Sequence, residues 1–366
     1  MTGPENDWAE NDWAENDWAE NEWAEIHRAE IHRAGNRRAG NRRAGNDGPG
    51  MTRSQSAPHA GFVIAVPALS RGTANRSEDL RHPDRLAAQW PVSRVVIMDH
   101  AGRVELDAAG TSAAAPRLRS HPAPSIGQAP PTDAVLLGSV DGIDHWAIRG
   151  DVTDGSGLRE LGPLLSDTDA GLLTTATALL TWHAAAGYCP RCGEPTLPSP
   201  AGWSRACPQG HEDFPRTDPA VIVLVHDGAD ALVLARQPIW PPGRMSVLAG
   251  FVEAGESLEA TVVREVHEEI GVLVRDVSYL GSQPWPFPRS LMVGFAARAD
   301  PAAPLLPREG EIESAHWIDR ATIRELLANP DDGWSGGDVI GGSVGMMLPG
   351  RVSIAHRMIQ GWAESG

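Results

Sequence analysis

The sequence predicts an α/β (α+β) protein: a C-terminal sandwich of mixed sheet between helices, preceded by a short cysteine ribbon and a smaller N-terminal mixed α/β domain. Three observations carry this. Short β-branched runs alternate with helical-period runs from about residue 95 to the C-terminus. All three cysteines fall in the window 189–207. Between two groups of strand-like runs lies a strongly acidic, capped helix at 257–271.

Residues 1–50 stand apart. From Asn6 they run in five-residue units, NDWAE giving way to IHRAE and NRRAG, with Ala at every fifth position from Ala9 to Ala44. A five-residue step turns a helix by about 140°, so no apolar stripe forms. The segment is expected to be a low-complexity, disordered tail, with Met51 a credible natural start. Residues 51–185 are read as the N-terminal domain. Strands are expected at 95–98, 135–137 and 146–148, with Asp141-Gly142 as a turn and the Pro- and Ser-rich stretch 113–132 as loop. From 169 to 182, Leu172, Leu173, Ala176, Leu179 and Leu180 fall on one helical face.

Residues 186–216 hold the ribbon and 217–366 the sandwich. Strands are expected at 220–225 and 231–235 around the turn 227–230, then, after the segment 246–251 that leads into the acidic helix, at 291–297 and 314–318, with helices at 321–327 and 354–362. Residues 250–272 fit the pattern G-x5-E-x7-R-E-U-x-E-E-x-G-U, U being aliphatic. Ser257 caps the helix and Gly271 stops it. Glu265, Glu268 and Glu269 stand at i, i+3 and i+4, and Arg264 reaches Glu268 as an i, i+4 pair. A solvated acidic face is the competing reading. The fixed spacing favours a site where hard oxygen ligands take Mg²⁺ or Mn²⁺ for phosphate chemistry.

Cys189-Pro-Arg-Cys192, a fourteen-residue spacer and Cys207 have the spacing of a structural Zn²⁺ ribbon. A degenerate, metal-free ribbon and a redox C-x-x-C are the alternatives. Segment 282–290, SQPWPFPRS, alternates prolines with aromatics and reads as a turn or polyproline-like segment, excluding a free helix or central strand.

The 250–272 pattern is the signature of the Nudix hydrolases, and SQPWPFPRS with the ribbon resembles the NADH pyrophosphatase branch of that family. The resemblance covers residues 155–364, most strongly 189–290. It implies an α/β/α Nudix sandwich and metal-dependent hydrolysis of NAD(H) to AMP and nicotinamide mononucleotide. It also admits removal of NAD caps from RNA 5′ ends. Glu265 and Glu269 would be principal ligands, with the carbonyl of Ala249, and Glu268 a further ligand or the base. Glu256 and Arg264 would be supports, and Glu311 a further metal ligand with Glu313 its rival. The family's ribbon carries four cysteines; here His211 would replace the fourth. Phe214 and Phe251 would stack on a ring of the substrate. Gln283, Pro284, Trp285, Pro286, Phe287, Pro288, Arg289 and Ser290 would close over the rest. Ala355 would contribute through its backbone. Arg159 matches a substrate contact, with a plain surface arginine the default. His183 is read as packing. Such pockets are often completed across a homodimer.

Composition bounds the alternatives. A net charge of −17 argues against tracking along nucleic acid, and the absence of lysine excludes a Walker A or Schiff-base lysine. No apolar run is long enough to cross a bilayer. Clustered thiols without a disulfide framework point to the cytoplasm. Hydrolysis of another nucleoside diphosphate such as ADP-ribose, and a non-catalytic nucleotide sensor, remain open.

Overall fold

Three sheets organise the chain in this computed structural model, which describes residues 61–107, 115–328 and 345–366. The pentapeptide repeats, Met51 and part of the 113–132 stretch lie outside the described residues.

The first sheet follows helix α1 (Pro83–Gln89). It contains β1 (Arg94–Met98), β2 (Arg103–Val104) and β3 (His121–Pro122); helix α2 (Ala123–Ile126) then leads to β4 (Val135–Val140), β5 (Ile143–Arg149) and β6 (Ser156–Gly157). The order is β4-β5-β1-β2-β6, with β3 added to β1. Asp141 and Gly142 both take positive φ (50° and 81°), which a two-residue hairpin between β4 and β5 demands. The expected loop at 113–132 is corrected in part: among its described residues, β3 and α2 form because His121 pairs with Val95 and Pro124 suits the first turn of the helix that Pro122 caps.

Helices α3 (Leu158–Leu161) and α4 (Asp167–Ala185) follow. The Ser166 side chain accepts from the Asp169 N–H, capping α4. The five expected apolar positions are buried, and Thr174, Thr175 and Thr177 are buried with them. Their hydroxyls donate to the carbonyls of Ala170, Gly171 and Leu173 at 2.7–2.9 Å, so polar residues are tolerated on the inner faces. The helix is therefore covered on more sides than its leucine stripe foretold.

The ribbon pairs β7 (Leu197–Pro198), β8 (Arg205–Ala206) and β9 (Glu212–Asp213). The third sheet is built from β10 (Asp218–His226), β11 (Ala231–Arg236) and β12 (Leu248–Phe251); helix α5 (Leu258–Ile270) precedes β13 (Arg275–Trp285), β14 (Ser290–Arg298) and β15 (Ser314–Asp319). Helices α6 (Arg320–Ala328) and α7 (Ile354–Glu364) close the chain. Strand order is β13-β14-β10-β11-β15, with β12 on β10 and the central β10–β14 pair parallel. Val221, Val223 and Val225 of β10 share one core with Val262, Val266 and Ile270 of α5. On the opposite face Gly294 of β14 lies against Ile354 and Met358 of α7. A mixed sheet with a helix on each face is the expected sandwich, because strand period 2 sends alternate residues to the two helices.

One expectation changes. Gln283, Pro284 and Trp285 pair with Met292, Leu291 and Ser290, so the first half of SQPWPFPRS finishes strand β13. Only Pro286 to Arg289 form the turn. Strand β13 lies at the sheet edge, where Pro284 costs no ladder hydrogen bond.

Candidate active site and metal centre

Helix α5 presents the carboxylates. Ser257 accepts from the Ala260 N–H at 3.2 Å, and Gly271 ends the helix at φ 73°. Its apolar face packs into the sheet core and draws Glu265 and Glu269 inward, to 6% and 3% exposure; Glu268 is half-buried. Burial pushes the Glu265 carboxyl up to about 6, Arg264 opposes the shift, and Glu268 and Glu311 add to it. A Cβ on Gly250 would fall 2.0–2.4 Å from the Glu265 carboxylate, so strand β12 passes the acid only because residue 250 has no side chain.

Arg264 holds this arrangement. Its guanidinium donates to both Glu256 oxygens (2.6 and 2.8 Å), to Glu265 (2.7 Å), to Glu268 (3.4 Å) and to the Phe251 carbonyl (2.9 Å). Arg264 first, against a smaller burial effect, holds the Glu256 carboxyl down at about 2. Glu256 also accepts from the Thr261 hydroxyl and the Glu253 N–H, tying the box loop to the helix.

The loop before β15 docks on the C-terminal end of α5. Leu306 N–H donates to the Ile270 carbonyl (2.8 Å) and Arg308 N–H to the Glu269 carbonyl (2.9 Å), satisfying groups a helix end leaves open. Glu311 is thereby brought to the cluster, where it raises the Glu265 pKa. Its rival Glu313 pairs instead with Arg236 and is half exposed. Arg308, which the sequence reading passed over, lies 3.8 Å from Glu268 and 3.5 Å from Glu311.

The ribbon residues meet at one point. Among the described residues, Cys189, Cys192, Cys207 and His211 offer ligand atoms all within 4.8 Å of one another, and no comparable convergence joins the carboxylates. Cys189 Sγ lies 3.6 Å from His211 Nδ1, and Cys192 Sγ lies 3.7 Å from Cys207 Sγ. Tetrahedral Zn²⁺ requires ligand–ligand edges of about 3.6 Å for S–N and about 3.8 Å for S–S, so these residues fit the metal. His183 is packing: its ring nitrogens meet the Gly202 carbonyl and Arg205 at 2.8 and 2.9 Å.

The proline-aromatic turn gathers distant residues. The rings of Trp285 and Phe287 meet edge to face at 5.0 Å, and the Arg159 guanidinium lies 4.0 Å from the Phe287 centroid and 5.0 Å from that of Trp285. The default of a plain surface arginine does not hold for Arg159. Gln283 is fully buried and donates to the Val352 carbonyl, while Trp285, Pro286 and Ser290 are also buried. Arg289 donates to Asp218 at 2.6 Å, Pro284 and Phe287 are half-buried, and Pro288 is exposed. The Ala355 N–H donates to its own cap hydroxyl, Ser353. Phe251 is half-buried on β12, and Phe214 is 59% exposed.

Comparison with known proteins assigns both segments to described domains. Residues 216–335 match the NUDIX domain and residues 184–210 the NADH pyrophosphatase zinc ribbon domain. The NAD-capped RNA hydrolase NudC of Mycobacterium bovis is 47% identical over 311 residues, 82% of this chain and 95% of that protein. The chain belongs to the NudC-type Nudix hydrolases. The mitochondrial NAD(P)H pyrophosphatase NUDT13 of Mus musculus is 39% identical over 55% of this chain and 57% of its own. The NAD-capped RNA hydrolase NUDT12 of Pongo abelii is 35% identical over 54% and 42%. Among solved structures, a NUDIX hydrolase from Nitrosomonas europaea covers 36% of this chain and 77% of its own, at 19% identity and a TM-score of 0.32.

Within this Nudix hydrolase, His211 lies one residue beyond the matched ribbon. It reaches the cysteines because Cys207 N–H donates to the His211 carbonyl and Gly210 takes φ 77°, closing a tight turn. Of the described helices, none is long and apolar enough to cross a membrane. Arg308 could have been sought as the basic residue three positions before Glu311, the helical-turn spacing at which the two side chains meet.

Proposed function

We propose that this enzyme hydrolyses the pyrophosphate of NAD(H) to AMP and nicotinamide mononucleotide, and removes NAD caps from RNA 5′ ends by the same cut. The observation that carries the reading is the buried carboxylate pair Glu265 and Glu269, beside Glu268 and Glu311, in a chain 47% identical to an NAD-capped RNA hydrolase along most of its length. Two like charges buried this deeply call for a counter-cation, and hard oxygen donors suit Mg²⁺ or Mn²⁺.

Glu265, Glu269, Glu268, Glu311 and the Ala249 carbonyl would hold the divalent metal, which when bound neutralises phosphoryl oxygens and acidifies water. Arg264 keeps the Glu265 and Glu268 carboxylates aimed into the site, and Glu256 keeps Arg264. On this reading Glu268 either completes the metal shell or takes the proton of the attacking water. Arg159, Trp285 and Phe287 form a cation–π stack that fixes the wall of the substrate pocket. Phe251 and Phe214 offer ring faces to a base, and Pro284, Pro286, Pro288, Arg289, Gln283, Ser290 and the Ala355 backbone shape the rest. Cys189, Cys192, Cys207 and His211 would hold a structural Zn²⁺. The domains are read as 51–185, 186–216 and 217–366. A homodimer working in the cytoplasm completes the reading.

Product analysis tests the reading. The protein from Met51 onward is incubated with NADH, NAD⁺, ADP-ribose and NAD-capped RNA, in Mg²⁺ or Mn²⁺, beside Glu269→Gln. AMP and nicotinamide mononucleotide are expected from NAD(H), with the rate falling about a thousandfold in the variant. No turnover of any substrate by folded, metal-loaded protein would leave the sensor reading. Preferential cleavage of ADP-ribose would transfer the site to another nucleoside diphosphate.

A further inference from the structure

We propose that Arg308 is a positioning residue that sets the metal affinity of the active site. Its guanidinium is a second counter-cation of Glu268, beside Arg264, and a counter-cation of Glu311, and it would compete with a divalent metal held by these residues. The inference rests on the metal-site reading above. Arg308 lies 3.8 Å from Glu268 and 3.5 Å from Glu311, joining a carboxylate of helix α5 to one of the loop before β15. The Arg308 side chain is 38% exposed and the Glu311 side chain 17%, so the cation covers the acid from the solvent side. The geometry differs from that of Arg264. Arg264 has five polar contacts, two of them on Glu256 outside the acid cluster, and its side chain is only 20% exposed. Such an arginine stays in place when metal arrives. Arg308 is anchored through its backbone N–H on Glu269 and its carbonyl under Glu311 and Ile312, which leaves the side chain free to swing without disturbing the loop.

The consequence follows from charge. A guanidinium 3.8 Å from Glu268 and 3.5 Å from Glu311 places positive charge beside carboxylates that would hold the metal. A divalent ion held by these carboxylates would compete with both ion pairs and have the cation nearby, so Arg308 weakens metal binding while it offsets the repulsion between the carboxylates.

The test compares wild type, Arg308→Gln, Arg308→Lys and Glu269→Gln by Mn²⁺ titration with electron paramagnetic resonance and by melting with and without Mn²⁺. Arg308→Gln is expected to bind Mn²⁺ roughly five- to tenfold more tightly, the screened effect of removing one unit charge near a divalent ion. Its metal-free form is expected to melt lower than wild type, with the deficit recovered once Mn²⁺ is added. Arg308→Lys, which keeps the charge, should return both readings toward wild type. Weaker Mn²⁺ binding by Arg308→Gln, with an equal loss of melting temperature whether metal is present or absent, would overturn the proposal and make the side chain a loop brace. Failure of wild type to bind Mn²⁺, or unaltered binding by Glu269→Gln, would instead refute the underlying metal-site reading.

Discussion

The two clusters of ligand-type residues in this enzyme are built on opposite principles. Cys189, Cys192, Cys207 and His211 converge within 4.8 Å, whereas the carboxylates of α5 are interleaved with the guanidiniums of Arg264 and Arg308. Burial opposes ionisation of the Cys189 thiol, but N–H groups of Arg191 and Cys192 and contacts with Cys192 and His211 hold it down at about 6, so the ribbon offers a thiolate, the form that binds metal. The carboxylates of α5 repel one another when ionised, and Arg264 and Arg308 offset that repulsion. A closed site of four protein ligands suits a structural ion that never leaves, while an arginine-spaced one suits a metal that exchanges and must leave room for phosphate.

If that contrast is right, the largest effect comes from the arginine that orders the open site. Arg264→Met should lower the hydrolysis rate by about ten- to a hundredfold at saturating Mg²⁺, the usual cost of losing a partner that orients metal ligands. Arg264→Lys should recover little, because an ammonium cannot span both Glu256 oxygens as well as Glu265. Full recovery by lysine in steady-state assays would show that charge alone, and not the fork, orders the carboxylates.

The closed site should behave in the reverse way. Cys207→Ser is expected to lose its zinc in elemental analysis and to melt several degrees lower, yet the folded fraction should keep its rate within about threefold. A collapse of the rate in protein that remains folded would place the ribbon in the chemistry and erase the distinction between the two sites.

How far the sequence reveals these sites follows the distance over which their contacts act. Helix α5 was legible to its caps, because Ser257, Gly271 and the helical spacing of Leu258, Val262, Val263 and Val266 are local signals, and so was the grouping of Glu265, Glu268 and Glu269. The Asp141-Gly142 turn was legible for the same reason. The stack of Arg159 on Phe287 was not, since it joins helix α3 to a turn across two sheets and no local period encodes it. Nor was the strand character of Gln283 to Trp285: prolines argue against strands in isolation, and only the edge position in the sheet removes the objection. The resemblance favoured Glu311 over its rival Glu313, and the fold separates them by which arginine each one meets.

The smallest effect lies in the support of the open site. Glu256 is held down at about 2 in the folded protein, chiefly by Arg264, against an ordinary value of 4.5. A depressed carboxyl contributes stability that is fully present above pH 4.5 and is lost as pH falls from there toward 2, since the unfolded chain takes up the proton first. Glu256→Gln should therefore be less stable than wild type at neutral pH, and the difference should narrow on acidification through that window. Urea titrations at stepped pH read it directly. A gap that stays constant with pH would mean that the glutamate acts as a hydrogen-bond acceptor for Thr261 and Glu253 and not as a charge. The brace of Arg264 would then depend on shape, and the electrostatic contrast between the two sites would be confined to Glu265, Glu268, Glu269 and Glu311 themselves.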